Sequence, residues 1–323
     1  FIHLGRVWMV YYMLPLPNQR TLWPNFQSPL MFDVVAISTY LTVSSLFWYT
    51  GMLPDLAIIR DRAHGLRRKI FAVLSLGWTA EFEVWRHYAR GYLFFAALAT
   101  PLVISVHSVV SWDFALGVVP GWHTTIFAPY FVAGAIHSGL AMVLTLMIPL
   151  RRIFKYEAII TVSVLESVAK TIVFTGLIVG FAYGTEVFIA WYSHNAVEVE
   201  TFRYRAFGDY ALEYWIMVIC NTVIPLAFLF KKVRTSIRSL FAISLVVNVG
   251  MWYERFVIII GSVAHDFLPH AWGLYTPSMI EYGIMIGSFC LFFFLFALFV
   301  KHLPSVSMTE MKETLPEGGG HVG

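Results

Sequence analysis

A chain of 323 residues that is 59% hydrophobic and only 13% charged has too little polar surface to be wrapped in water, which argues against a soluble domain. The formal net charge of +3 is not gathered into a basic face for phosphates, so a nucleic-acid binder is not expected. Cys220 and Cys290 lie inside apolar runs with no CxxC between them. A disulfide framework, a structural zinc or a cysteine-held cluster is therefore not expected either.

Crossing a bilayer takes about 20 mainly apolar residues, because unpaired backbone groups cannot be left in hydrocarbon. In chain order the sequence opens at Phe1, without an initiator Met, on the apolar stretch FIHLGRVWMVYYMLP. We read it as the last turns of an incomplete helix and expect the chain to be the C-terminal part of a longer protein. Seven further stretches qualify as complete spans: 29–59, 92–118, 123–150, 157–192, 208–230, 236–262 and 277–302. Between the first two, 65–78 is too short to cross. There Ile70, Phe71 and Leu74 share a face and Arg67 and Arg68 can reach headgroups, which predicts a helix lying in the interface. The fold class is thus all-α, a polytopic transmembrane helical bundle, with a membrane domain over 1–303 and a polar tail over 304–323.

The basic residues set an orientation. Sixteen of the 22 Lys and Arg fall in loops on one side, from Arg60 through Arg151 and Lys231 to Lys312, against Arg20, Arg203 and Arg205 on the other. Such a split predicts a cytoplasmic basic side and a cytoplasmic C-terminus. Loops 16–28, 119–122, 193–207 and 263–276 then face outward, with Trp23, Trp122, Trp191 and Trp272 in or beside them.

Ionisable groups at membrane depth cost several kcal/mol unless paired or hydrated, so each is a candidate for function. Asp33 lies about one turn inside its outer helix end, and His107, Asp113 and Arg255 also gather toward that side with His3. A quinol loses two protons and two electrons, and desolvated His and carboxylate groups suit the protons. His3, Asp33, His107 and Asp113 are therefore expected around a quinol ring, with Arg255 steadying a nearby carboxylate. His107 and Asp113 are six residues apart, about 120° around one helix, and cannot both face one ligand squarely. The plainer alternative is a set of helix-to-helix hydrogen bonds. Deeper, Glu166 and Lys170 at i, i+4 can neutralise each other, and His137 sits among small residues in AGAIHSGLA. These three are candidates for a proton path, or for a structural ion pair and a packed histidine. Three histidines at membrane depth are too few for the four ligands of a di-haem cytochrome; His107 and His137, on neighbouring helices at similar depth, could hold at most one haem.

The stretches IHLGRVWMVYYMLPLPNQR, NFQSPLMFD, SVHSVVSWDFA and MWYERFVIII resemble the NrfD-like family of polysulfide reductase membrane subunits. Within it they are most similar to the quinol-oxidising subunits of bacterial alternative complex III, nearer to the quinol-binding C subunit than to its F paralogue. The resemblance implies ten spanning helices, mainly in two four-helix bundles without haem or metal, in a bacterial inner membrane. It implies menaquinol as the bound cofactor and a periplasmic iron–sulfur subunit as electron acceptor. The further partners implied are a paralogous membrane subunit and c-type cytochromes. Carried over by motif, His3 and Asp33 fall on the family's quinol-site pair, His107 and Asp113 on its outer polar cluster, and Arg255 on its membrane arginine. A proton-conducting or scaffolding paralogue without quinone is the alternative function.

Overall fold

The computed structural model describes residues 8, 11–12, 14–304 and 306–307. Among them every regular element is helical. The α-helices are α1 (Pro29–Arg62), α2 (Gly65–Leu74), α3 (Phe82–Ala115), α4 (Phe127–Ile153), α5 (Val162–Ser193), α6 (Ala196–Phe207), α7 (Ala211–Val218), α8 (Lys231–Arg234), α9 (Ile237–Val263) and α10 (Met279–His302). Among the described residues, seven stretches are long and apolar enough to cross a membrane: α1, α3, α4, α5, Ala211–Leu229, α9 and α10. They coincide with the seven predicted spans. α3 begins ten residues before the predicted 92, because Phe82–Arg90 extends the helix through a polar stretch.

The chain divides into two compact units, residues 1–36 with 103–275, and residues 37–102 with 276–323. In the first, α4 packs on α5 and α9, and the span that begins with α7 packs on the same two helices, which closes a ring of four. α6 lies against α5, α7 and α9. Two large apolar clusters fill the ring, with a small third one at Ala141, Val247 and Met251 between α4 and α9. One, around Phe127, Tyr130, Phe131, Val179 and Val257, lies toward the α6 end. The other, around Leu144, Leu165, Ile172, Phe228 and Leu240, lies toward the basic loops.

The span after α7 is irregular for an identifiable reason. Pro225 has no backbone N–H to give to the carbonyl four residues earlier, so the regular ladder fails at Asn221. The chain passes through a wide π-helical turn at Ile219–Val223 and a tight 3-10 turn at Ile224–Leu229. Small residues on both neighbours make room for it. A Cβ on Gly176 would lie 3.1 Å from the Asn221 carbonyl oxygen, and one on Gly250 would lie 2.6 Å from the Cys220 Cβ. Close backbone approach of this kind holds helices together where lipid offers no hydrophobic drive.

In the second unit, Met52, Leu56 and Phe71 form a small core with Tyr49, Ile59, Leu74, Phe299 and Leu303 beside it. The Tyr49 hydroxyl donates to the Leu74 carbonyl at 2.6 Å, and Arg60 donates to Ser75 Oγ at 3.2 Å and the Trp78 carbonyl at 3.0 Å. These bonds pin the C-terminus of α2. Phe71 and Leu74, of the predicted shared face, pack into this core, whereas Ile70 is 49% exposed.

Candidate functional site

Within the first unit, Asp33 near the start of α1 and Asp113 near the end of α3 bring their carboxyl groups into direct interaction. Asp33 is buried and Asp113 half-buried, and each keeps one buried oxygen without a hydrogen-bond partner. Two polar groups left so in apolar surroundings carry a desolvation cost that an added ligand or hydrogen bond would relieve.

Beside this pair runs an aromatic and basic surface. Phe114, next to Asp113, packs on Phe131 at 5.5 Å between ring centres and on Trp122 at 4.9 Å. The Arg255 guanidinium lies 4.0 Å from the centre of the Phe131 ring and 3.2 Å from Glu254. The carboxylate that Arg255 meets is thus its own neighbour on α9. Its Nη1 is buried without a partner. His107 is half-buried, one to two turns before Asp113, within electrostatic reach of Arg255. Asp113 turns to Asp33 and His107 toward Arg255, as their angular separation on α3 requires. His3 lies outside the described residues.

Of the proton-path candidates, Glu166 and Lys170 meet as their spacing predicts, but His137 stands apart from them. His137 is fully buried, its Nδ1 2.9 Å from the Thr175 hydroxyl, while its Nε2 has no partner. Glu166 pairs with Lys170 at 3.2 Å and with Arg234 at 2.8 Å. Glu166 and Thr175 are nine residues apart on α5, about 13 Å along the axis. The buried side chains of Ala169 and Ile172 come between them.

The ring of four holds a polar core in which Glu254 meets Tyr183 and Tyr130, and Asn221 joins through Tyr183, partners that the place of Glu254 in an apolar segment does not reveal. The Tyr183 hydroxyl donates to Glu254 Oε2 at 2.5 Å and accepts from Asn221 Nδ2 at 2.9 Å. Tyr130 also hydrogen-bonds Glu254. One turn beyond Tyr183, Glu186 is buried with one oxygen unpartnered, and it shares a cavity of about 10 Å³ with Arg205, Tyr130 and Tyr214. That is about the space of one water molecule. Nearer the basic loops, Thr145 donates to Ser244 at 3.0 Å and accepts from Asn248 at 2.9 Å. Glu186 stands inside a predicted span, in FAYGTEVFIA, so the rule that flags ionisable groups at membrane depth could have found it.

Arg205, read from the sequence as a loop charge, is 3% exposed. Stretch 193–207 is not a bare loop: Asn195 caps α6 by accepting from the Val197 and Glu198 amides. α6 closes over the end of the ring. Arg205 donates to Ser262 Oγ at 2.6 Å and to the Gly121 carbonyl at 3.3 Å, and Glu198 accepts from the Gly121 amide. Trp122 adds a bond from Nε1 to the Ile258 carbonyl at 2.6 Å. Outside the spans, burial together with a 3.0 Å hydrogen bond to Asp209 pushes the Tyr204 phenol up to about 12.

Seven apolar spans, a ring of four helices and ionisable groups sealed inside it define a multi-pass helical membrane protein. The chain belongs to the family described as Polysulphide reductase, NrfD, whose model matches residues 1–265. It is similar to a protein of Halobacterium salinarum that is provisionally named as a membrane subunit of dimethyl sulfoxide reductase. The two are 26% identical over 290 residues, which cover 82% of this chain and 62% of that relative. The chain therefore spans less than two thirds of the length of the relative.

Proposed function

We propose that this protein is the membrane subunit of a quinol-oxidising electron-transfer complex in a bacterial inner membrane, and that it binds menaquinol at the Asp33–Asp113 pair near the periplasmic face. The observation that carries the reading is the contact between two carboxyl groups at membrane depth, each with an unpartnered buried oxygen. A quinol hydroxyl satisfies such an oxygen and gives up its proton there as the ring is oxidised. The half-buried Phe114, next to Asp113, is an apolar neighbour for the ring, and His107 with Arg255 supplies polar contacts at its other edge. His3 is proposed as a second proton acceptor. The two electrons leave to a periplasmic iron–sulfur subunit, and a paralogous membrane subunit and c-type cytochromes complete the assembly.

The test is Asp33→Asn in the intact complex, with Asp113→Asn beside it. Quinol-dependent reduction of the electron acceptor should fall at least 100-fold while all subunits still co-purify. Unchanged turnover in both variants would reject the site.

A second reading is favoured by the polar core of the ring. Tyr130, Tyr183, Asn221 and Glu254 form a buried chain of hydrogen-bonding groups, with Glu186 one turn beyond Tyr183, of the kind a proton-conducting subunit uses. Under that reading Glu254→Gln lowers proton release in vesicles, whereas Asp33→Asn leaves quinol oxidation intact.

A further inference from the structure

The short helix α2 takes no part in the proposed quinol chemistry, yet its surface is organised. Leu66, Ile70 and Val73 fall within an arc of about 60° on the helix. They are 73%, 49% and 74% exposed. Phe71 and Leu74 occupy the adjoining arc and pack into the small core of their unit. Arg68 and Lys69 take the remaining arc, and the Arg67 guanidinium rises 5.7 Å from the centre of the Phe71 ring. All three basic residues are exposed, and among the described residues none of them forms an ion pair. Asp61 attracts Arg68 but is held at 2.8 Å by Arg60. Just beyond α2, Trp78 meets Trp85 and Tyr88 edge-on at 5.1 and 5.2 Å, a cluster of the type found at membrane–water boundaries.

We propose that α2 is a docking face for anionic phospholipid. Leu66, Ile70 and Val73 enter the acyl layer of the leaflet on the basic side, while Arg67, Arg68 and Lys69 hold the headgroup phosphates. Charge complementarity picks the occupant. Ten residues that carry an exposed apolar arc beside three uncompensated cations match a boundary with hydrocarbon on one side and phosphate on the other. An acidic soluble partner would satisfy the cations and leave the apolar arc in water. The bonds from Tyr49 and Arg60 hold the helix in this orientation in advance, so little order is lost on binding.

The experiment is mass spectrometry of the intact complex released from mixed micelles that contain equal phosphatidylglycerol and phosphatidylcholine. The wild type should retain phosphatidylglycerol preferentially, and millimolar inorganic phosphate should not displace it. The Arg67→Gln, Arg68→Gln, Lys69→Gln variant should lose that preference by roughly fivefold for each charge removed. No preference in the wild type, unchanged retention in the assembled variant, or displacement by phosphate would overturn the proposal. A second measurement does not depend on the variant folding: a benzophenone side chain at position 73 of the otherwise unaltered complex is photolysed in native membranes. A phospholipid adduct supports the proposal. A crosslink to another protein of the complex, or no adduct at all, overturns it.

Discussion

α10 and the ring of four helices are both apolar enough to span a membrane, yet they are built on different terms. In the most apolar stretches of α4 and α9, 39% of residues are buried inside the protein, and in that of α5 44%; in α10 none are. The ring helices touch through small residues and enclose polar groups that need partners, among them Glu254, Asn221 and His137. α10 carries Phe289, Leu291, Phe292, Phe293 and Phe294 outward and encloses nothing polar. Hydrocarbon removes the hydrophobic incentive for helices to associate, so the fixed geometry of a membrane protein comes from close packing and interhelical hydrogen bonds. The ring has both.

The comparison can be broken by mutation. Glu254→Ala strands the Tyr183 hydroxyl and the Arg255 guanidinium together, and should cost about 3–5 kcal/mol of stability in the detergent-solubilised protein, followed by thermal unfolding. Glu254→Gln, which still accepts from Tyr183, should recover much of that loss. Next comes Gly250→Val, whose side chain must displace Cys220 and Asn221 from the π-helical turn. Overpacking of this kind costs about 1–3 kcal/mol, read from the same melting curves. Trp122→Phe, which removes one hydrogen bond to Ile258, should cost about 1 kcal/mol. The smallest effect is expected on the other side of the comparison: Phe294→Ala in α10 should stay within about 0.5 kcal/mol. If Phe294→Ala cost as much as Trp122→Phe, α10 would have to be a packed helix like those of the ring, and the contrast would fail.

The spans were legible because hydrophobic length is a one-dimensional property, and so was the short helix at 65–78. Ionisable residues at depth were legible as candidates, since a carboxylate or imidazole inside an apolar run stands out. Their partners were not. That Asp33 meets Asp113, or that His137 meets Thr175, depends on the rotation of one helix against another, which no periodicity in a uniformly apolar segment fixes. α6 was missed for a different reason: with Glu198, Glu200, Arg203 and Arg205 in a stretch of twelve residues it reads as a polar loop. Its start was marked by Asn195 followed three residues later by Glu198, the pattern that signals a helix cap. Glu186 was passed over within an otherwise apolar span. Ile70 was grouped on one face with Phe71 and Leu74, but the Tyr49 and Arg60 bonds fix α2 at a rotation that buries Phe71 and leaves Ile70 exposed.

The wide turn at Ile219–Val223 sets the phase of everything that follows it. Each residue of a regular helix advances the side-chain direction by about 100°, so the widened turn resets the angular count between Met217 and Phe228, both buried in the ring. Removing one residue there would leave Pro225 still without an N–H to give, and would turn Phe228 by roughly 100° out of its cluster. The stretch therefore tolerates exchange of side chains more readily than any change in their number.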